Sequence, residues 1–151
     1  MAAQPIEFEL DELYRDLILD HYRQPRNHAP LKSPTCSTDG ENPLCGDQVT
    51  VQLALAHGRV TDVAFTGRGC SISQASSSMM TECVKGKTVG EAKALLGQFK
   101  DMMLRGANPT PALGDLEALQ GVRKFPVRVK CATLGWNVLE QLLDAQQGGT
   151  R

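Results

Sequence analysis

At 151 residues the chain is long enough for an independently folding core, and its acidic and basic side chains nearly cancel at a formal net charge of −1. That balance excludes a global electrostatic attraction to nucleic acid, and no apolar run approaches the ~20 residues that a membrane-spanning helix requires. Five cysteines form an odd set, and no basic, then apolar, then small-residue pattern opens the chain, so a reducing cytoplasmic setting is expected rather than a disulfide framework.

Taken in chain order, Leu10, Leu13, Tyr14, Leu17, Ile18 and His21 recur at three-and-four spacing and predict an amphipathic helix that stops near Tyr22 to Gln24, ahead of Pro25. A long loop is expected from there to Cys45. Alternation of Val49, Val51, Leu53 and Leu55 with smaller or polar residues predicts a half-buried strand, followed by a turn at His57-Gly58 and a second strand over Val60 to Thr66. Val60 is out of phase with Val63 and Phe65, which calls for a bulge or a late strand start.

Ser71 to Val84 reads as a helix whose apolar face is Ile72, Ala75, Met79, Met80 and Cys83. Serines at 73, 76, 77 and 78 are mediocre helix formers, so tertiary packing must hold that segment. Thr88 and Glu91 have capping-box spacing for another helix, which Gly106 to Pro111 ends. Leu113 to Leu119 is expected as a short helix, Phe125 to Val129 as an extended stretch around Pro126, Ala132 to Leu143 as the final helix, and Gln146 to Arg151 as a frayed tail. The fold class expected is α+β, a small antiparallel sheet packed against several helices, with residues 1–151 in one domain.

Three cysteines occupy unlike local settings. Cys45 lies in a Pro/Gly loop within Leu44-Cys45-Gly46-Asp47-Gln48, Cys70 follows Gly67-Arg68-Gly69 at a helix start, and Cys131 ends a basic stretch at another. With Asp47 they offer three thiolates and a carboxylate to one soft metal, a set that suits tetrahedral zinc or an iron–sulfur cluster. Their spacing is unlike the paired CxxC knuckles of a zinc ribbon, so spacing alone leaves open whether they share a site or are separate buried thiols.

The motifs decide more. Leu13-Tyr14-Arg15-Asp16-Leu17-Ile18-Leu19-Asp20-His21-Tyr22 with Pro25-Arg26-Asn27, then Asn42-Pro43-Leu44-Cys45-Gly46-Asp47, Gly69-Cys70-Ser71-Ile72-Ser73 and Lys130-Cys131-Ala132-Thr133-Leu134 resemble the IscU/SufU family over nearly the whole chain. The long stretch between Cys70 and Cys131, and the approach Phe125-Pro126-Val127-Arg128-Val129-Lys130-Cys131, resemble its SufU branch. Isc-type scaffolds carry a histidine just before the third cysteine; Lys130 stands there here and cannot bind zinc while protonated.

The resemblance implies a zinc-dependent sulfurtransferase, with Cys45, Asp47, Cys70 and Cys131 as zinc ligands and Cys45 as acceptor of persulfide sulfur from a SufS-type cysteine desulfurase. It further implies delivery to a downstream SufBCD-type cluster assembly complex, and displacement of Cys45 from zinc by a histidine of the desulfurase. The alternative is a scaffold that builds a transient [2Fe–2S] cluster on Cys45, Cys70 and Cys131. Four anionic ligands leave a zinc site with excess negative charge, so nearby cations are favoured. Arg128 is the catalytic candidate for that role, placed beside the site by the resemblance.

Gly46 and Pro43 suit Cys45 to an exposed, movable loop, while Cys70 and Cys131 are expected to be anchored at helix starts. Cys83 is assigned to helix packing and Cys36 to a loop over Ser33 to Asp39. His21 is expected to pack or cap near the end of the first helix, His28 and His57 to lie in loops, and Trp136 to pack on its helix. The first helix could pack on the domain or contribute to partner docking.

Overall fold

The computed structural model describes residues 12–43 and 46–149, with side chains described over 14–43 and 46–146. Helix α1 (Glu12–Arg23) leads into a three-stranded antiparallel sheet in the order β1 (Cys36–Asn42), β2 (Asp47–Ala56), β3 (Arg59–Arg68). Helices α2 (Ser71–Val84) and α3 (Val89–Arg105), a 3-10 segment (Pro111–Lys124) and the long helix α4 (Pro126–Gly149) complete the described chain. This is the expected α+β architecture. Among the described residues, no helix is long and apolar enough to cross a membrane.

The β2–β3 hairpin turns on His57 and Gly58, both at positive φ (55° and 74°), which is what a two-residue turn matched to strand twist demands. Register shifts between Ala54 and Leu55: Ala54 pairs with Asp62 and Leu55 with Val60, leaving Thr61 as the extra residue. That bulge explains the phase conflict, since it lets Val60, Val63 and Phe65 all be fully buried.

Strand β1 corrects the expected loop. Its sequence has no apolar alternation, yet it pairs with β2 from Cys36↔Leu53 to Asn42↔Asp47, and Cys36 opens it rather than lying in a loop. Small residues face inward because α4 crosses close by. A Cβ at Gly40 would sit 2.7 Å from Val138 Cγ2.

Ser73, Ser76, Ser77 and Ser78 of α2 are buried, and the hydroxyls of Ser76 and Ser78 satisfy partners that an apolar helix would leave stranded. Ser76 Oγ donates to the Ala132 carbonyl (2.6 Å) and accepts from Trp136 Nε1 (3.2 Å); Ser78 Oγ lies 2.7 Å from His21 Nδ1 and accepts from Arg26 N–H (2.9 Å). At Gly135 a Cβ would meet Ser77 Oγ at 2.5 Å, so α2 and α4 approach closely there. Trp136 is fully buried and stacks on Phe99, with ring centroids 4.7 Å apart.

Two further boundaries differ from expectation. Phe125 to Val129 is not extended: Pro126 opens α4, because the first helical position needs no N–H and favours proline's fixed φ. The helix also runs on to Gly149, past the expected frayed end. Leu113 to Leu119 is not one short helix: the 3-10 segment is kinked at Gly114 (φ 54°, ψ −128°), while the Thr88–Glu91 capping box forms as expected. Leu10 lies outside the described residues.

Candidate metal centre

Each donor reaches the site from a different element. Asp47 is the first residue of β2, paired across the sheet with Asn42, whose carbonyl also accepts from Gly46 N–H at 2.9 Å. Cys70 is the N-cap of α2, its sulfur accepting from Ser73 N–H at 3.4 Å, which directs the positive end of the helix dipole at the thiol. Cys131 is not at a helix start as expected; the early start of α4 places it in the second turn, fully buried.

The ligand atoms of Asp47, Cys70 and Cys131 all lie within 4.8 Å of one another. Sulfurs on a tetrahedral zinc with bonds of about 2.3 Å stand about 3.8 Å apart, so the three donors suit such an ion after a small inward shift. The carboxylate is fixed for the purpose. Asp47 is 1% exposed, and Oδ1 accepts the Cys70 N–H at 2.9 Å while Oδ2 lies 4.0 Å from Cys70 Sγ. A buried carboxylate beside two thiols is costly without a countercharge, which a divalent cation would supply.

Gly69 makes this arrangement sterically possible, because a Cβ there would sit 2.6 Å from Asp47 Oδ1. Gly67, at φ 127°, likewise lets the β3 backbone pass Gln48, whose carbonyl oxygen would be 2.1 Å from a Cβ.

Arg128, in the first turn of α4, is half-buried and interacts with the sulfurs of both Cys70 and Cys131. Desolvation pulls its pKa down, but the charges of Cys70 and Cys131 and their hydrogen bonds outweigh it, and the net shift is upward. Lys130 is exposed. Cys45 lies outside the described residues; its neighbours Pro43 and Gly46 are exposed, Gly46 at φ 71°, and Cys45 is two residues from Asp47 along the chain.

The other cysteines and histidines are accounted for by packing. Cys83 Sγ faces the Leu113 carbonyl at 3.6 Å, and burial pushes its pKa up to about 11. Cys36 is half-buried, and burial raises its pKa as well. His21 is 1% exposed and bridges Ser78 and Asp115; His28 packs edge-on against Phe65. Asn42 was legible only as part of a motif. The structure puts its Nδ2 4.0 Å from Cys131 Sγ.

Residues 13–141 match the model of the NifU-like N terminal domain. The chain belongs to the IscU/SufU family. It is 47% identical over 141 residues to the zinc-dependent sulfurtransferase SufU of Bacillus subtilis, covering 93% of this chain and 95% of that one. With the iron-sulfur cluster assembly scaffold protein IscU of Streptococcus pyogenes it shares 41% identity over 136 residues, 89% and 85% of the two chains. A putative iron-sulfur cluster assembly scaffold protein for the SUF system from Fervidobacterium islandicum superposes with a TM-score of 0.80 at 35% identity, covering 85% of this chain and 94% of that one. The N-terminal NifU-like protein of Brucella abortus superposes at 0.84 with 26% identity, over 93% and 98%. This IscU/SufU-family chain therefore spans nearly the full length of these relatives.

Proposed function

We propose that the protein is a zinc-dependent sulfurtransferase of iron–sulfur cluster assembly, taking persulfide sulfur from a SufS-type cysteine desulfurase onto Cys45 and passing it to a SufBCD-type complex in the cytoplasm. The observation that carries this is the meeting of Asp47, Cys70 and Cys131 within 4.8 Å, with Cys45 two residues before Asp47 along the chain. Likeness to the Bacillus subtilis SufU supports the sulfur-transfer assignment over the scaffold one.

Cys70, Cys131 and Asp47 would hold zinc with Cys45 as the fourth ligand; the ion would keep the thiols deprotonated and silence Cys45 until a partner docks. Transfer itself is thiol exchange. The Cys45 thiolate attacks the terminal sulfur of the desulfurase persulfide, the S–S bond of that persulfide breaks, and the desulfurase cysteine leaves as thiolate while Cys45 becomes the persulfide. No external oxidant is consumed. Arg128, beside two sulfurs, offsets the negative charge that accumulates as an anionic persulfide approaches.

A second reading has the same cysteines build a [2Fe–2S] cluster as cargo, and it is favoured by likeness to the scaffold proteins of Streptococcus pyogenes and Fervidobacterium islandicum. Desulfurase turnover, measured with cysteine and a reductant, separates the two. Sulfur transfer predicts one zinc per chain and stimulation that disappears in Cys45→Ala, whereas a zinc-poor protein that delivers a reconstituted cluster to an apo-acceptor would support the scaffold.

A further inference from the structure

Arg128 hydrogen-bonds the sulfurs of both Cys70 and Cys131, and each thiol also has a donor of its own. Cys70 accepts from a main-chain donor, the Ser73 N–H at 3.4 Å, which any sequence folding this way would supply. Cys131 accepts from a side chain, the Asn42 amide at 4.0 Å. Asn42 is 8% exposed, so its amide is withdrawn from bulk water, and only its NH2 end can face an anionic sulfur without repulsion. Its backbone carbonyl meanwhile accepts from Gly46 N–H at 2.9 Å. One residue therefore touches both the buried thiol and Gly46, the residue before the ligand Asp47.

We propose that Asn42 is a positioning residue of the metal centre: its amide donates to the Cys131 thiolate, fixing that sulfur toward Asp47 and Cys70 and strengthening zinc retention. The assignment rests on the zinc reading above. Donors to ligand atoms generally orient the ligand and spread its charge, and losing one weakens metal binding by about 10- to 100-fold. The carbonyl bond is main-chain and survives any substitution, so side-chain variants leave it in place.

Asn42→Asp keeps size and shape but presents an anionic oxygen to the thiolate. Asn42→Ala removes the donor without adding charge. The test is zinc affinity by chelator competition, joined to the thiolate-to-cobalt charge-transfer band of the Co²⁺-loaded protein, with circular dichroism to register the fold. A donor role predicts affinity in the order wild type, Asn42→Ala, Asn42→Asp, with the last weaker by at least about 10-fold and its charge-transfer band shifted. A purely structural role predicts the opposite order, because the isosteric Asp would disturb packing least. Equal affinities, or Asp milder than Ala, would overturn the proposal. If Asn42→Asp does not fold, Asn42→Ala alone decides it: unchanged affinity rejects the donor, and several-fold weakening with a shifted band supports it. Wild-type protein that retains no zinc would overturn the functional reading and this proposal together, whereas zinc-binding wild type with unaffected variants would overturn only this one.

Discussion

Replacing Gly69 by alanine adds one methyl group at the point where β3 hands over to α2. The new Cβ would lie 2.6 Å from Asp47 Oδ1, 3.0 Å from its Cγ and 3.1 Å from Ser73 Oγ. Restoring ordinary van der Waals separation requires the carboxylate to retreat by roughly 0.8 Å. That retreat breaks the 2.9 Å bond from Cys70 N–H, and Asp47 is too buried for water to replace it. Loss of a hydrogen bond to a charged buried group costs about 1.5–3 kcal/mol. Alanine's lower unfolded-state entropy returns about 0.4–1 kcal/mol, leaving a net loss of about 1–2 kcal/mol. For a chain of this size that is a fall of roughly 3–6 °C in Tm. Thermal unfolding in excess chelator measures the packing effect without metal; chelator competition then measures the displaced ligand, where weaker zinc retention is expected. An unchanged or higher Tm in chelator, with wild-type zinc affinity, would refute the claim that Gly69 is there to make room for Asp47.

Gly97, inside α3, is the contrasting case: nothing lies within 4 Å of a Cβ there, so Gly97→Ala should stabilise by about 1 kcal/mol, read as a raised midpoint in denaturant. Thr88→Ala removes the side-chain half of the capping box and should destabilise by about 1 kcal/mol in the same assay. With its pKa pushed up to about 11, Cys83 stays protonated through neutral and mildly alkaline pH. At pH 8 its alkylation by iodoacetamide, followed by mass spectrometry of the native protein, should be about 100-fold slower than that of an exposed thiol, and should accelerate as pH rises toward 11.

What the sequence announced, and what it concealed, follow from different physics. The β2–β3 hairpin, α2 and α3 carry their own periodicity, turn residues or caps, so Val49 to Leu53, His57-Gly58 and Thr88 to Glu91 disclose them locally. Strand β1 does not. Its inward positions are Cys36, Thr38 and Gly40, small because α4 presses on them, and that pressure is a long-range fact absent from the local pattern. Pro126 misled in the opposite direction, since the residue that breaks a helix interior also begins one, and the choice depended on Cys131 and Trp136 needing burial further along α4. At the candidate site, the motifs named Cys45, Asp47, Cys70, Cys131 and Arg128; folding brings the last four together, and Cys45 lies outside the described residues. The roles of Gly69 and Asn42 were not legible, because both depend on distances across elements: a methyl group's clearance from Asp47, and an amide's reach to Cys131.

The central claim is that Cys45 takes up sulfur. Incubating the zinc-loaded protein with a persulfide-charged SufS-type desulfurase, then mapping alkylated peptides by mass spectrometry, tests it most directly. Addition of one sulfur atom to the Cys45 peptide, absent from the Cys36 and Cys83 peptides and lost entirely in Cys45→Ala, is the result predicted. Sulfur found on another cysteine, or none transferred although the desulfurase is fully charged and the protein holds its zinc, would contradict it.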